Sequence, residues 1–214
     1  MQYLTIDWLK FIPALVLLLT PGTLFYPSKK VRYREVSRDW DEHWPRILAH
    51  GLHAIDLGRA ALGTWLLIES LQTVPHPLGF AKYAVLFTQG SIRILAVFLQ
   101  TAICKEPGHA NAPFAFVLGL LLAGISPLVA VFACALAIPL AMGARAPAAF
   151  FPLLGLAHLA IGFLFKGKGV VLSLGFGAVA VTVPLVWSVL FRRDLVIGYR
   201  AKRLPEDHRP EPLR

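Results

Sequence analysis

Three stretches of this chain, 114–142, 148–165 and 170–191, contain no Asp, Glu, Lys or Arg. Each is about as long as the roughly 17–25 residues that carry a helix across the hydrocarbon core of a bilayer. A helix at a water surface needs a polar face opposite its apolar stripe, and these segments are apolar nearly all round. That pattern excludes an ordinary soluble helical domain. With 57% hydrophobic residues in 214, the chain reads as an all-α, polytopic integral membrane helix bundle of about six or seven membrane segments.

Along the chain the segments are expected at about 7–25, 45–71, 78–103, 113–142, 148–165 and 170–191, in a single transmembrane domain over 1–203. The first lacks a basic start, since Asp7 stands there, and no A-x-A site follows it; it reads as a retained membrane segment rather than a secretory signal. The run 113–142 is long for one span and short for two. Gly124-Ile125-Ser126-Pro127 breaks it in the middle and Pro139 marks its end. A pair of short helices broken by Pro and Gly, open to a re-entrant arrangement, is the expectation.

Positive charge supports that pairing. The loop at about 26–45 carries Lys29, Lys30, Arg32, Arg34 and Arg38. The C-terminal region carries Arg192, Arg193, Arg200, Lys202, Arg203 and Arg209. A helix pair puts both clusters and Arg145 on the cytoplasmic side of a cell membrane and leaves Lys166 and Lys168 facing outward. Trp40 and Trp44, beside Asp39, Asp41, Glu42 and His43, suit an interfacial turn. The tail 204–214, rich in Pro and charge, is expected to be a disordered cytoplasmic extension.

The net charge of +9 flanks the spans, so it points to the lipid bilayer and its anionic headgroups, at about 1 kcal/mol per basic residue near the surface. No nucleic-acid partner is implied; other membrane subunits are compatible. Cys104 and Cys134 are the only cysteines and imply no disulfide framework. No repeated ligand spacing calls for a metal or cofactor.

Charge inside a span is costly and usually has a partner or a task. The second segment carries Arg46, His50, His53, Asp56 and Arg59; the third carries Lys82, Gln89, Arg93 and Gln100. At about 100° per residue the latter four fall in a stripe of roughly 40°. A small-residue strip on the second segment, Gly51, Ala54, Gly58 and Ala61, would allow close helix approach. Leu48, Leu52, Ile55, Leu62 and Leu66 would face lipid. Two antiparallel helices joined by a short turn match residues equidistant from that turn. This register sets Asp56 against Arg93, Glu69 near Lys82 and His50 near Gln100. Arg59 fits less well, on the lipid-facing side of the wheel about 60° from Asp56; it is left open whether it bonds Asp56 one turn away, contacts another helix, or shows the wheel to be misoriented.

His158 and the following Phe165-Lys166-Gly167-Lys168-Gly169-Val170 resemble the His…F-K-G-G-K-G-V stretch of small acyl-phosphate-dependent glycerol-3-phosphate acyltransferases. In that family such a Gly-rich loop binds phosphate, so the resemblance implies an anion-binding loop at Lys166 and Lys168. It is confined to this stretch, one glycine and the family's S-G-N-x-G-A-T-N motif are missing, and the chain is not assigned to that family. Without it, the segment is a tight interspan loop. The leading functional expectation is binding or movement of an ion or anionic solute through a polar cavity between the second and third segments. The alternatives are a membrane enzyme acting on a lipid or phosphate substrate and a non-catalytic assembly subunit. No residue set names a reaction.

Overall fold

The computed structural model of the chain describes residues 4–22, 29–32, 51–73, 79–104, 108–143 and 147–199. His50, most of the loop 26–45, and the tail 204–214 lie outside the described residues. The protein is mostly helical, with seven α-helices among those residues: α1 (Trp8–Leu19), α2 (Gly51–Ser70), α3 (Gly79–Ala102), α4 (Phe114–Gly124), α5 (Pro127–Gly143), α6 (Phe150–Lys166) and α7 (Val171–Leu190). The segments Lys82–Ala102 and Lys168–Leu190 are long and apolar enough to cross a membrane, and the other apolar helices are shorter.

Local chemistry sets the boundaries. The Asp7 carboxylate accepts from the Leu9 N–H at the start of α1, as an N-cap should. That helix stops at Leu19, because Thr20 precedes Pro21 and takes an extended conformation (ψ 121°), as a residue before proline prefers. The same rule breaks 113–142. Ser126 precedes Pro127, and Pro127 opens α5 where its missing N–H costs nothing. Gly167, at φ 69°, closes α6, and a 3-10 turn over Lys168–Val170 leads into α7.

Five short strands were not anticipated in an all-α reading. β1 (Leu4–Ile6) pairs antiparallel with β3 (Leu71–Thr73). β2 (Lys29–Arg32) pairs antiparallel with β5 (Asp194–Tyr199), and β4 (His109–Asn111) pairs with β5 in parallel. These two small sheets mark the two ends of the bundle. α1 leaves the two-stranded end and α2 returns to it. α7 runs into the three-stranded end, where Leu195, Val196 and Ile197 are buried.

The register sets the strand Lys29–Arg32 directly against the strand that follows Arg192 and Arg193, so the described part of each basic cluster is at one end. Phe114 at the start of α4 meets Phe150 at the start of α6, with ring centroids 5.0 Å apart. Phe132, early in α5, stacks on Phe165, at the far end of α6 (5.8 Å). Helices α4 and α5 therefore leave from the three-stranded end and return to it, turning at Ile125–Ser126. The expected broken pair is observed.

α4 occupies the interior. Phe114, Ala115, Phe116, Val117, Gly119, Leu120 and Leu121 are buried in its first two turns. α2 packs on α4 and on α1, α3 packs on α7, and α6 lies between α5 and α7. The α2–α4 approach is close enough that a methyl on Gly119 would strike the Leu57 carbonyl oxygen. The expected tight α2–α3 hairpin is not formed. Its two helices follow one another in sequence, yet each spends its packing surface on other neighbours. The strip chosen for close approach is also rotated out: Gly51, Ala54 and Gly58 are exposed. The working contact surface is Ala60, Gly63 and Thr64, one face further round, because α1 and α4, rather than α3, are the partners of α2.

Candidate functional site

The polar residues of α2 and α3 divide into two groups with different chemistry. The first gathers at the end of α1. A helix end leaves its last carbonyls without intrahelical donors, and away from water these need partners. Arg59 supplies them: its Nη1 donates to the Leu17 carbonyl (3.0 Å) and to the Thr20 carbonyl. Its Nε donates to Asp56 Oδ1 (2.7 Å) and its Nη2 to Gln100 Oε1 (2.8 Å). The guanidinium carbon lies 4.7 Å from the ring centroid of Phe116 in α4, a cation–π distance. Gln100 completes the cap, with Nε2 donating to the Thr20 and Leu18 carbonyls and Oε1 accepting from the Gly22 N–H. Asn111 Nδ2 in turn donates to the Gln100 and Ile103 carbonyls, at the end of α3. One arginine thus fastens α1, α2, α3 and α4 together.

This geometry corrects the expected register. Asp56 pairs with Arg59, one turn away on its own helix, and not with Arg93. Arg59 bonds Gln100, where the hairpin register would have set Gly90. Of the alternatives open for Arg59, two hold together: it bonds Asp56 one turn away and contacts another helix, α1. Glu69 and Lys82 both lie near the two-stranded end and form no ion pair with each other; Lys82 is exposed. His53 is half-buried on α2. Lys166 and Lys168 are exposed on either side of Gly167, in the tight turn between α6 and α7.

The second group surrounds Arg93. This side chain is 4% exposed, fourteen residues from Gly79 and nine from Ala102, or about 21 and 14 Å from the two ends of α3. Its Nε donates to the Gln89 carbonyl (3.2 Å) on its own helix. No carboxylate among the described residues pairs with it. Its Nη1 lies against Gly124, where a Cβ would stand 3.1 Å away. The guanidinium therefore faces the last turn of α4, whose terminal carbonyls carry the negative end of the helix dipole. Gln89, one turn before Arg93, is also buried.

A further buried polar group lies between α6 and α7. His158 of α6 is 1% exposed, and its Nδ1 has no hydrogen-bond partner among the described residues. Its Nε2 packs against Gly177 of α7, where a Cβ would lie 3.0 Å away. Thr64 Oγ1 and Trp187 Nε1 are likewise buried without a hydrogen-bond partner among the described residues.

Sequence reasoning singled out Arg93 and Gln89 and gave them the wrong neighbours. The signal for the right neighbour is the Gly124–Pro127 break, which sets the end of α4 against the middle of α3. Among the described residues no cluster of three His, Cys, Asp or Glu side chains could hold a metal ion. No protein-family model, no curated protein and no solved structure matches this chain.

Proposed function

We propose that this is a polytopic integral membrane protein that binds, and passes across the membrane, a small anionic solute at Arg93. The membrane half of the reading is supported by what the helices present outward. Leu9, Leu164, Leu190, Val189 and Leu156 are exposed on three different helices, the first three at 88%, 79% and 70%. Contiguous apolar surface on this scale is a liability in water and ordinary in lipid. Less than half of either long apolar helix is buried inside the bundle, which suits a lipid-facing helix better than the core helix of a soluble protein. With Lys29, Lys30, Arg32, Arg192 and Arg193 at the three-stranded end, that end is cytoplasmic by the positive-inside rule.

The observation that carries the functional half is Arg93: a buried arginine with one hydrogen bond, no carboxylate among the described residues, and a break between two helices beside it. A buried charge without a counter-charge costs several kcal/mol, and broken helices near the midplane are a recurrent way to build solute sites in membranes. The site lies on α3 beside the α4–α5 break, not between α2 and α3. Arg59 and Gln100 belong to the structural cap of α1 and take no part in it.

The test is transport by the purified protein in sealed liposomes loaded with a pH-insensitive, anion-quenched fluorophore. Wild-type protein should speed equilibration of an added anion over empty liposomes, and Arg93→Gln, reconstituted to the same density, should not. Equal rates for the two would remove Arg93 from the pathway.

A further inference from the structure

We infer that the ligand of Arg93 is a singly charged oxyanion presenting two oxygens, a small soluble carboxylate rather than a multivalent anion or a lipid phosphate. This rests on the anion-binding reading above and names its substrate class.

Charge balance gives the first constraint. Arg93 is the one buried cation of the group among the described residues. Arg59 is committed to Asp56, Gln100 and the end of α1, and Lys82, Lys166 and Lys168 are exposed. One negative charge therefore neutralises the site. A dianion would leave a net negative charge in a low-dielectric interior, with the same desolvation cost that an unpaired Arg93 carries.

Donor geometry gives the second. Nε is occupied by the Gln89 carbonyl, whereas Nη1 and Nη2 have no acceptor among the described residues. Two N–H groups on one planar edge match two oxygens of one planar acceptor. A spherical halide fills only one such position. A carboxylate held in this way keeps lone pairs for further donors.

Depth gives the third. Arg93 lies about 14 Å along α3 from its nearer end. Lipid phosphates sit outside a hydrocarbon core about 30 Å thick, so a phosphodiester headgroup would have to leave its own layer to reach the guanidinium. A small carboxylate has no such tether.

The experiment is intrinsic tryptophan-fluorescence unfolding of the purified protein in detergent at fixed ionic strength. Sodium acetate, sodium chloride, sodium sulfate and sodium dimethyl phosphate are titrated against wild type, Arg93→Gln, Arg93→Lys and Gly124→Ala. Acetate should raise the midpoint saturably in wild type and not in Arg93→Gln. Its affinity should fall roughly tenfold in Arg93→Lys, which keeps the charge and loses the fork, while the weaker chloride effect stays the same in both. Gly124→Ala keeps Arg93 but places a methyl against Nη1, and should weaken acetate several-fold. Sulfate binding as tightly as acetate, a preference for dimethyl phosphate, or acetate binding unchanged in both Arg93→Lys and Gly124→Ala would overturn the carboxylate assignment. If none of the four anions gives a shift that depends on Arg93, the anion-binding reading itself falls.

Discussion

Replacing Arg59 by alanine removes the fastening of α1 to the rest of the bundle, and the size of the loss follows from its contacts. Four hydrogen bonds disappear together: to Asp56, Leu17, Thr20 and Gln100. Polar contacts inside membrane proteins average about 0.6 kcal/mol, with a maximum near 1.7. Four of them amount to roughly 2–5 kcal/mol, and the Asp56 carboxylate left without its cation moves the value toward the upper end. For a domain of this size that corresponds to a midpoint lowered by roughly 5–15 °C. The assay is thermal or denaturant unfolding in a single detergent, with Arg59→Lys and the double variant Arg59→Ala/Gln100→Ala beside it. Lysine reaches fewer of the four acceptors and should recover only part of the loss. The double variant should lose less than the two single losses combined, because both side chains cap the same carbonyls. An Arg59→Ala protein within about 0.5 kcal/mol of wild type, a value ordinary for a surface substitution, would refute the capping role.

Two further outcomes test the packing and the topology. Gly119→Ala drives a methyl into the Leu57 carbonyl, which as backbone cannot swing aside, and should cost about 1–3 kcal/mol; Gly58→Ala, with nothing within 4 Å, should change stability little, and unfolding midpoints of the two compare them directly. Cysteines placed at Lys168 and Arg192, in a background with Cys104 and Cys134 replaced, should label with a membrane-impermeant maleimide from opposite sides of the membrane; labelling of both from one side would contradict the two-ended arrangement.

The helices were legible in the sequence where composition alone decides, as in α6 and α7, whose uncharged runs match the observed helices within two residues at each end. The α4–α5 break was legible for a stereochemical reason, since Ser126-Pro127 disfavours a continuous helix. The strands were not, because they are short and satisfy backbone groups at the bundle ends. The apolar run Leu195-Val196-Ile197, set between basic residues, was the signal passed over in favour of its flanking charge.

The neighbours of the polar side chains were the least legible part. A helical wheel gives the direction of Asp56 and Arg59 from the axis of α2 but not which helix lies there. The hairpin rule supplied α3 because it is next in sequence, whereas α1 and α4 hold the position. The clue was in the chain: Thr20-Pro21 ends α1 with carbonyls that need donors, and Arg59 is a donor-only side chain with five N–H groups. Arg93 shows the converse. Its position on the polar stripe of α3 is readable from the sequence, but its approach to Gly124 depends on the path of α4 and α5 back to the end they started from.

The most direct measurement is an anomalous difference map from crystals of the protein grown with methylselenoacetate, a non-alkylating carboxylate that suits the proposed site and whose selenium marks its position. The account predicts an anomalous peak between α3 and the α4–α5 break, with the carboxylate on Nη1 and Nη2 of Arg93. A map in which the Arg93 guanidinium is bonded to a carboxylate of the protein itself, with no selenium beside it, would contradict it.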